Sequence, residues 1–385
     1  MKTLSLLVSL SLATFAVACG EPSTSSPEVD EAAPPASTEA APPKKKPAQK
    51  DSDTSATTEA PANKSAEPSA PADTAVTTAK LRDGVRSFVV SNDALYVATD
   101  KTVEKSAPNG AGATPLGAFG ATIDLALTDA RIFGLVDKGT FYEVFSTKLD
   151  GTEGTHHLNW LKSSGEPGNV AIHDGRIYFT STTSDAAQNR ILSASATPPA
   201  SGNALYRTEE LVDAKSVLPL FAGGSLFAVD HVRQSAVRVS LTDASESVDF
   251  IKDAVPMTAG GIALQGTDIF TRTAKGIVRA PSNAAANTTA TVVVPATACP
   301  VFDEATGVAS TLDDALVIDG ATIYAACRAG ANAEIRAFAL DGKLTKTVAT
   351  VPYGAGLRHL RVTGAAAYWL TRPTATTTEL WRAAK

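Results

Sequence analysis

Seven short apolar runs recur from residue 94 onward: ALYVAT, RIFGLV, RIYFTS, SLFAVD, DIFTRT, TIYAAC and AAYWLT. Each follows a turn rich in Asp, Gly, Asn or Ser. Each sets an aromatic behind an aliphatic or small residue: Tyr96, Phe133, Tyr178, Phe227, Phe270, Tyr324 and Tyr368. Successive aromatics are 37, 45, 49, 43, 54 and 44 residues apart, the length of one four-stranded propeller blade. A unit that cannot bury its own faces must stack on its neighbours, so seven of them predict one closed ring.

Two units show the pattern inside a blade. In one, apolar or alternating runs span 123–127, 131–136, 141–148 and 156–161, with Asp150-Gly151 before the last. In the other they span 315–318, 322–327, 334–339 and 344–349, punctuated by Asp319-Gly320 and Asp341-Gly342. Asp-Gly between alternating runs signals a tight hairpin, because both turn positions need positive φ. The first run of a unit is nearly all small or aliphatic (VAIHD, IALQG, ALVID), which suits an inner strand buried on both faces. A third run recurs as TVEKS, RILSAS, AVRVSL, GIVRAP, EIRAFA and ELWRAA. The last unit has only three runs before Lys385, and residues 73–81 (with AVTTAKL) can add its missing outermost strand. Closure by both termini leaves no open sheet edge. The fold class is therefore all-β: a seven-bladed β-propeller over residues 76–385, with six or eight blades as the alternatives. The recurrent aromatics are packing residues between blades, not a ligand-stacking ladder.

The N-terminus has a different character. Lys2 precedes an uncharged apolar stretch, residues 4–17, too short to span a bilayer and shaped as a signal peptide over residues 1–18. It ends Ala16-Val17-Ala18-Cys19-Gly20, small residues before a cysteine, which resembles a bacterial lipobox with Cys19 as the lipidated residue. Ala16 stands where Leu is more usual, and Ala16-Val17-Ala18 also satisfies the rule of ordinary signal peptidase. Residues 19–75 are dominated by Pro, Ala, Ser, Thr and Glu and carry no aromatic. Such a segment cannot offset its chain entropy by burial and is expected to be a disordered tether, about 45 Å end to end as a flexible coil. Lys44-Lys45-Lys46 reads as a solvated patch within it.

Three cysteines are an odd number for an exported chain. With Cys19 lipidated, Cys299 and Cys327 remain as an even pair, and an oxidising compartment permits a disulfide between them. The interval of 54 residues around them is the longest in the ring, so the bridge would pin an oversized connection onto the sixth blade. Beyond residue 80 the chain carries 30 acidic against 27 basic residues. That balance excludes a nucleic-acid partner. Membrane contact is expected only through the lipid, in a bacterial cell envelope, and the chain is expected to be a monomer.

Arg176-Ile-Tyr-Phe-Thr180 and Ala367-Tyr-Trp-Leu-Thr371 resemble the aromatic strand of bacterial exported propellers of the YWTD/NHL-like type. The other five units carry neither Trp nor Phe after the aromatic. The resemblance implies a rigid platform for display, on which either binders or enzymes are built.

In an antiparallel meander the second-to-third-strand loops and the links between blades share one face, and the long irregular segments fall there. Two polar groups lie on it: Asp230, His231 and Arg233 in one loop, and Arg358, His359 and Arg361 where the chain starts its seventh inner strand. They are candidate anchors for a protein or glycan at the channel mouth. His156-His157 is no metal pair on a strand, since neighbours face opposite sides. No EF-hand loop, H-E-x-x-H, C-x-x-C, phosphate-cradling glycine loop or G-x-S-x-G occurs, and neither a metal nor a cofactor is implied. The leading function is a binding or scaffolding module on a lipid anchor. The alternative is a propeller enzyme (lyase, lactonase or glycoside hydrolase) with its site at the same mouth.

Overall fold

The computed structural model describes residues 77–117, 119–182, 190–197, 203–207, 219–230, 235–242, 247–252, 261–300, 316–352, 356–374 and 376–385. Residues 1–76, on which the expected signal peptide, Cys19 and tether fall, lie outside the described residues. The rest forms seven four-stranded antiparallel sheets. The chain opens with β1 (Thr78–Asp83) and then builds blade 1 from β2 (Val85–Val90), β3 (Leu95–Thr99), β4 (Val103–Ser106) and β5 (Thr114–Pro115). Blade 2 holds β6 (Ala121–Leu127), β7 (Arg131–Asp137), β8 (Phe141–Lys148) and β9 (Thr155–Leu161). Blade 3 holds β10 (Glu166–His173), β11 (Arg176–Thr182), β12 (Arg190–Ser195) and β13 (Asn203–Arg207). Blade 4 holds β14 (Leu220–Ala222), β15 (Ser225–Asp230), β16 (Ser235–Ser240) and β17 (Ser247–Lys252). Blade 5 holds β18 (Ile262–Gln265), β19 (Asp268–Thr273), β20 (Gly276–Pro281) and β21 (Thr291–Pro295). Blade 6 holds β22 (Leu316–Asp319), β23 (Thr322–Ala329), β24 (Asn332–Ala339) and β25 (Leu344–Pro352). Blade 7 takes β26 (Leu357–Val362), β27 (Ala366–Thr371) and β28 (Glu379–Ala384), with β1 as its outermost strand.

The seven recurrent aromatics all lie on the second strand of a blade and are at most 4% exposed. Each belongs to a separate apolar cluster that fills the gap to the next blade. Tyr96 packs with Leu125 and Ile132, Phe133 with Ile177 and Phe179, and Tyr178 with Leu226 and Ala228. Phe227 packs with Ile269 and Val278, Phe270 with Ile323 and Phe338, and Tyr324 with Ala367 and Trp369. Tyr368 completes the circle against Leu95 and Val97 of blade 1. Full burial of one such ring stabilises by about 1.5–3 kcal/mol. Where the residue is Tyr its hydroxyl can also reach across the gap: Tyr368 Oη donates to the Pro108 carbonyl at 2.9 Å.

Closure is made by backbone rather than burial. β1 pairs antiparallel with β28 from Thr78↔Ala383 to Asp83↔Glu379, while five of its six residues stay exposed. Gly84 alone joins β1 to β2. Its φ of +70° suits a residue without Cβ, and its N–H donates to the Thr378 carbonyl at 2.8 Å.

Blades 5 and 6 are joined covalently. Cys299 and Cys327 form a disulfide with Cα atoms 4.8 Å apart, and the Arg328 N–H donates to the Pro300 carbonyl at 2.9 Å beside it. Closing a loop of about 30 residues contributes on the order of 3–4 kcal/mol through the unfolded state. Arg272 of β19 is fully buried and donates from Nη2 to the Ala326 carbonyl across the same gap. Burial lowers its pKa to about 10, so it stays charged at neutral pH.

Deleting residues 20–70 is expected to leave the thermal midpoint unchanged, because their composition offers nothing to bury. Extending the deletion through Asp83 strips β28 of its partner. It should lower the midpoint by several degrees or cause aggregation in differential scanning calorimetry. Equal melting of the two truncations would mean that β1 does not close the ring.

Candidate functional site

Four consecutive blades begin their inner strands with a break in register. β2 slips between Val85 and Ser87, β6 between Thr122 and Asp124, β10 between Pro167 and Val170, and β26 between Arg358 and Arg361. The inner strands of blades 4, 5 and 6 pair with their neighbours without a break. A bulge bends the strand and re-aims side chains, and here the extra residues include Arg86, Ile123 and His359. His359 has φ +50°, the left-handed region that a residue with Cβ seldom adopts. The other described non-glycine residues with positive φ, Glu153, Asp174 and Asn287, sit in turns or bends. His359 holds this conformation inside a strand.

A buried carboxylate ties the bulged strands together. Ser87 Oγ donates to Asp124 Oδ1 at 2.6 Å, and the Val170 N–H donates to Oδ2 at 2.8 Å. One side chain thus links the inner strands of blades 1, 2 and 3. Burial raises the Asp124 pKa from its ordinary 3.8, opposed by the nearby His359 and by the Ser87, Val170 and Leu125 donors. Its oxygens are spent on holding the strands.

Beside blades 7 and 1, with Ile123 of blade 2 in its wall, lies a cleft of about 260 Å³. Its charged or titratable lining is Arg86, Arg358, His359 and Arg372, and Val85, Ile123 and Leu370 give it aliphatic walls. Arg86 pairs with Asp100, whose side chain is 69% exposed at the rim. A second cavity of about 370 Å³ runs along the inner strands of blades 4 to 7. Leu220, Ile262, Leu264, Val317 and Ile318 line it with Arg361, whose Nη1 donates to the Leu360 carbonyl at 2.9 Å.

The structure therefore brings Arg358 and His359 into one cleft and puts Arg361, three residues on, against the aliphatic channel wall. Asp230 ends β15, but its side chain, His231 and Arg233 lie outside the described residues. The two adjacent histidines diverge. His156 Nδ1 pairs with Glu143, whereas His157 is buried between Ser146 Oγ (Nε2, 2.7 Å) and the Ala196 carbonyl (Nδ1, 2.6 Å).

Arg86, Asp124 and Arg372 do not stand out as polar clusters in the sequence, since none of them adjoins another charged residue. A signal was present for the first two. Ten and nine residues before the recurrent aromatic stand Arg86-Ser87, Ile123-Asp124, Gly168-Asn169 and Arg358-His359. Aligning the units on that aromatic stacks these pairs in the columns where the inner strands bulge.

No family model matches the chain, and no curated protein does. Solved structures do. YCF48 from Cyanidioschyzon merolae is 13% identical, with a TM-score of 0.53 over 80% of this chain and 98% of that one. The AfRom2 CNH domain is 11% identical, with a TM-score of 0.51 over 80% and 98%. BamB from Moraxella catarrhalis matches more loosely, at 10% identity and a TM-score of 0.40 over 77% and 82%. At these identities the likeness shows the β-propeller fold and nothing about the ligand.

Asp124→Asn tests the tie. A carboxyl whose pKa is raised by folding contributes most below its unfolded value, and that contribution is lost as pH rises through the raised one. The wild type is therefore expected to gain stability relative to Asp124→Asn on going from pH 8 to pH 4, measured by urea unfolding of both proteins. The opposite trend would mean that the donors around Asp124 outweigh its burial.

Proposed function

We propose that this chain is an exported lipoprotein whose propeller binds a protein or glycan at the axial mouth beside blades 7 and 1. The observation that carries the binding reading is His359, held left-handed at a strand bulge in the cleft wall. Strained residues and bulges persist where the surrounding structure over-determines them, and they cluster at functional sites. Arg358 and His359 are the anchors, with Arg86 and Arg372 beside them. Asp230, His231 and Arg233 belong to the same mouth-facing set read from the sequence, whereas Arg361 lines the second cavity.

The anchor is proposed from the N-terminus: a signal peptide over residues 1–18, lipid on Cys19, and a tether over 19–75 that carries the propeller clear of a bacterial envelope membrane. A single acyl chain binds only marginally, so stable anchoring needs more than one. The YWTD/NHL-like kinship rests on the strands around Tyr178 and Tyr368 and fits the same role. The enzyme alternative is less well supported. Asp124, the perturbed carboxylate near His359, is committed to Ser87 and Val170 and does not line the cleft.

Mass spectrometry of the mature N-terminus is expected to find a lipid-modified peptide beginning at Cys19. An unmodified peptide there would remove the anchor from the proposal. For the mouth, a photo-crosslinking residue in place of Thr378, which lines the cleft, should yield a discrete adduct in the native host. The same residue in place of the exposed Lys346 on blade 6 should not. Absence of an adduct at 378, or equal labelling at both, would sink the mouth as the binding surface.

A further inference from the structure

We infer that the Cys299–Cys327 bridge is a redox switch whose reduced form keeps Cys299 as a thiolate paired with the buried guanidinium of Arg272. The switch belongs to the junction of blades 5 and 6 and is independent of the mouth.

Arg272, on β19, is 2% exposed. Its Nη2 donates to the Ala326 carbonyl, while its Nε is buried with no acceptor. No carboxylate among the described residues pairs with it, and burial alone moves its pKa. A buried charge is costly unless it is paired, so the bridged protein holds a cation that lacks its anion. Cys299 Sγ lies 3.7 Å from the same Ala326 oxygen, and Cys327 is the next residue. Guanidinium and sulfur meet on one oxygen, within the reach of about 4–6 Å over which a charge moves its neighbour's pKa. Other charged groups flank the bridge from β23, β24 and the turn after β19. Glu334, opposite Cys327 in the β23–β24 ladder, pairs with Arg336 at 2.8 Å. Arg336 also donates to the Ala298 carbonyl. Arg328 is half-buried and Lys275 exposed.

Both sulfurs sit in an apolar cluster with Phe270, Ile323 and Phe338. Such burial raises a thiol's pKa, whereas an adjacent guanidinium lowers it. Here the guanidinium is buried as well, so salt and water screen the attraction little, and one thiolate neutralises the charge that the bridge leaves bare. Structural bridges of secreted proteins resist small thiols, and a bridge becomes more oxidising when its reduced form is stabilised. In the reaction, two molecules of a small thiol pass two electrons to the bridge and leave as their own disulfide. Of their two protons, one goes to Cys327 and one to solvent. The cross-link is lost. Leu316 and Ile318, packed in the same cluster, also line the second cavity, so the change reaches the channel wall.

The test equilibrates the full chain at pH 7 with mixtures of reduced and oxidised glutathione. Equilibrium is approached both from the bridged protein and from protein reduced in urea and refolded, and alkylation with mass spectrometry counts the thiols. Arg272→Met removes the charge without adding a polar group, and exchange of a buried charge for an apolar side chain is commonly tolerated. The wild type is expected to reach the dithiol with an equilibrium constant at least about tenfold more favourable than that of Arg272→Met, the equivalent of one pKa unit. Arg272→Lys should restore most of the difference. A purely structural role for Arg272 predicts the opposite sign, since a loosened fold gives up its bridge more easily. Thiolate absorbance of the reduced protein near 240 nm is the second readout. Its midpoint should fall below the ordinary thiol value of about 8.5 in the wild type and in Arg272→Lys, but not in Arg272→Met. Equal constants in wild type and Arg272→Met overturn the inference, as does easier reduction of Arg272→Met. So does a wild-type midpoint at or above the ordinary value, or a bridge that stays closed in every mixture.

Discussion

Every blade of this ring is a sheet with two apolar faces, and no blade can cover either face by itself. The interaction on which all else depends is the packing in the gap between neighbouring blades. Seven gaps hold seven clusters, each organised by the aromatic of one second strand against the next blade. A gap left open would expose two faces at once, so the arrangement is stable only when the circle is complete. That explains why β1, which buries almost nothing, matters. It supplies the ladder that ends blade 7 and delivers the chain through Gly84 straight into blade 1.

Firm packing at the periphery lets irregularity gather at the axis. The bulges of β26, β2, β6 and β10 lie in adjacent blades, and the buried Asp124 spans three of them. Burying a carboxylate is costly unless its oxygens accept hydrogen bonds, and Ser87 and Val170 offset part of that cost. The cationic cleft is a consequence of the same bulges, which turn Arg86 and His359 out of the regular alternation.

The opposite side of the ring is secured differently. The junction of blades 5 and 6 has the disulfide, the cross-gap bond of Arg272 and a tight contact at Gly342. A Cβ added there would lie 1.8 Å from the Val293 carbonyl oxygen, so this turn seats against blade 5 only because the residue is glycine. The longest interval of the repeat falls here, and covalent closure compensates for the loop length that an ordinary blade junction lacks.

Periodicity of the chain by itself pointed to seven blades, to the strand that carries each aromatic and to closure by the N-terminal strand, and the count of cysteines pointed to the pairing of Cys299 with Cys327. The ring follows from local pattern and from the need to bury repeated apolar faces, both of which are written residue by residue. Arg358 and His359 were also legible as a polar pair at the start of an inner strand. What only the tertiary structure decided is which distant groups meet. Arg86 and Arg358 are 272 positions apart and share a cleft because the first and last blades are neighbours in a closed ring. Arg361 is three residues from Arg358 and faces another cavity, because the bulge between them shifts the register. Ring closure and strand bulges set side-chain direction in three dimensions, and neither leaves a local mark strong enough to read from one unit alone.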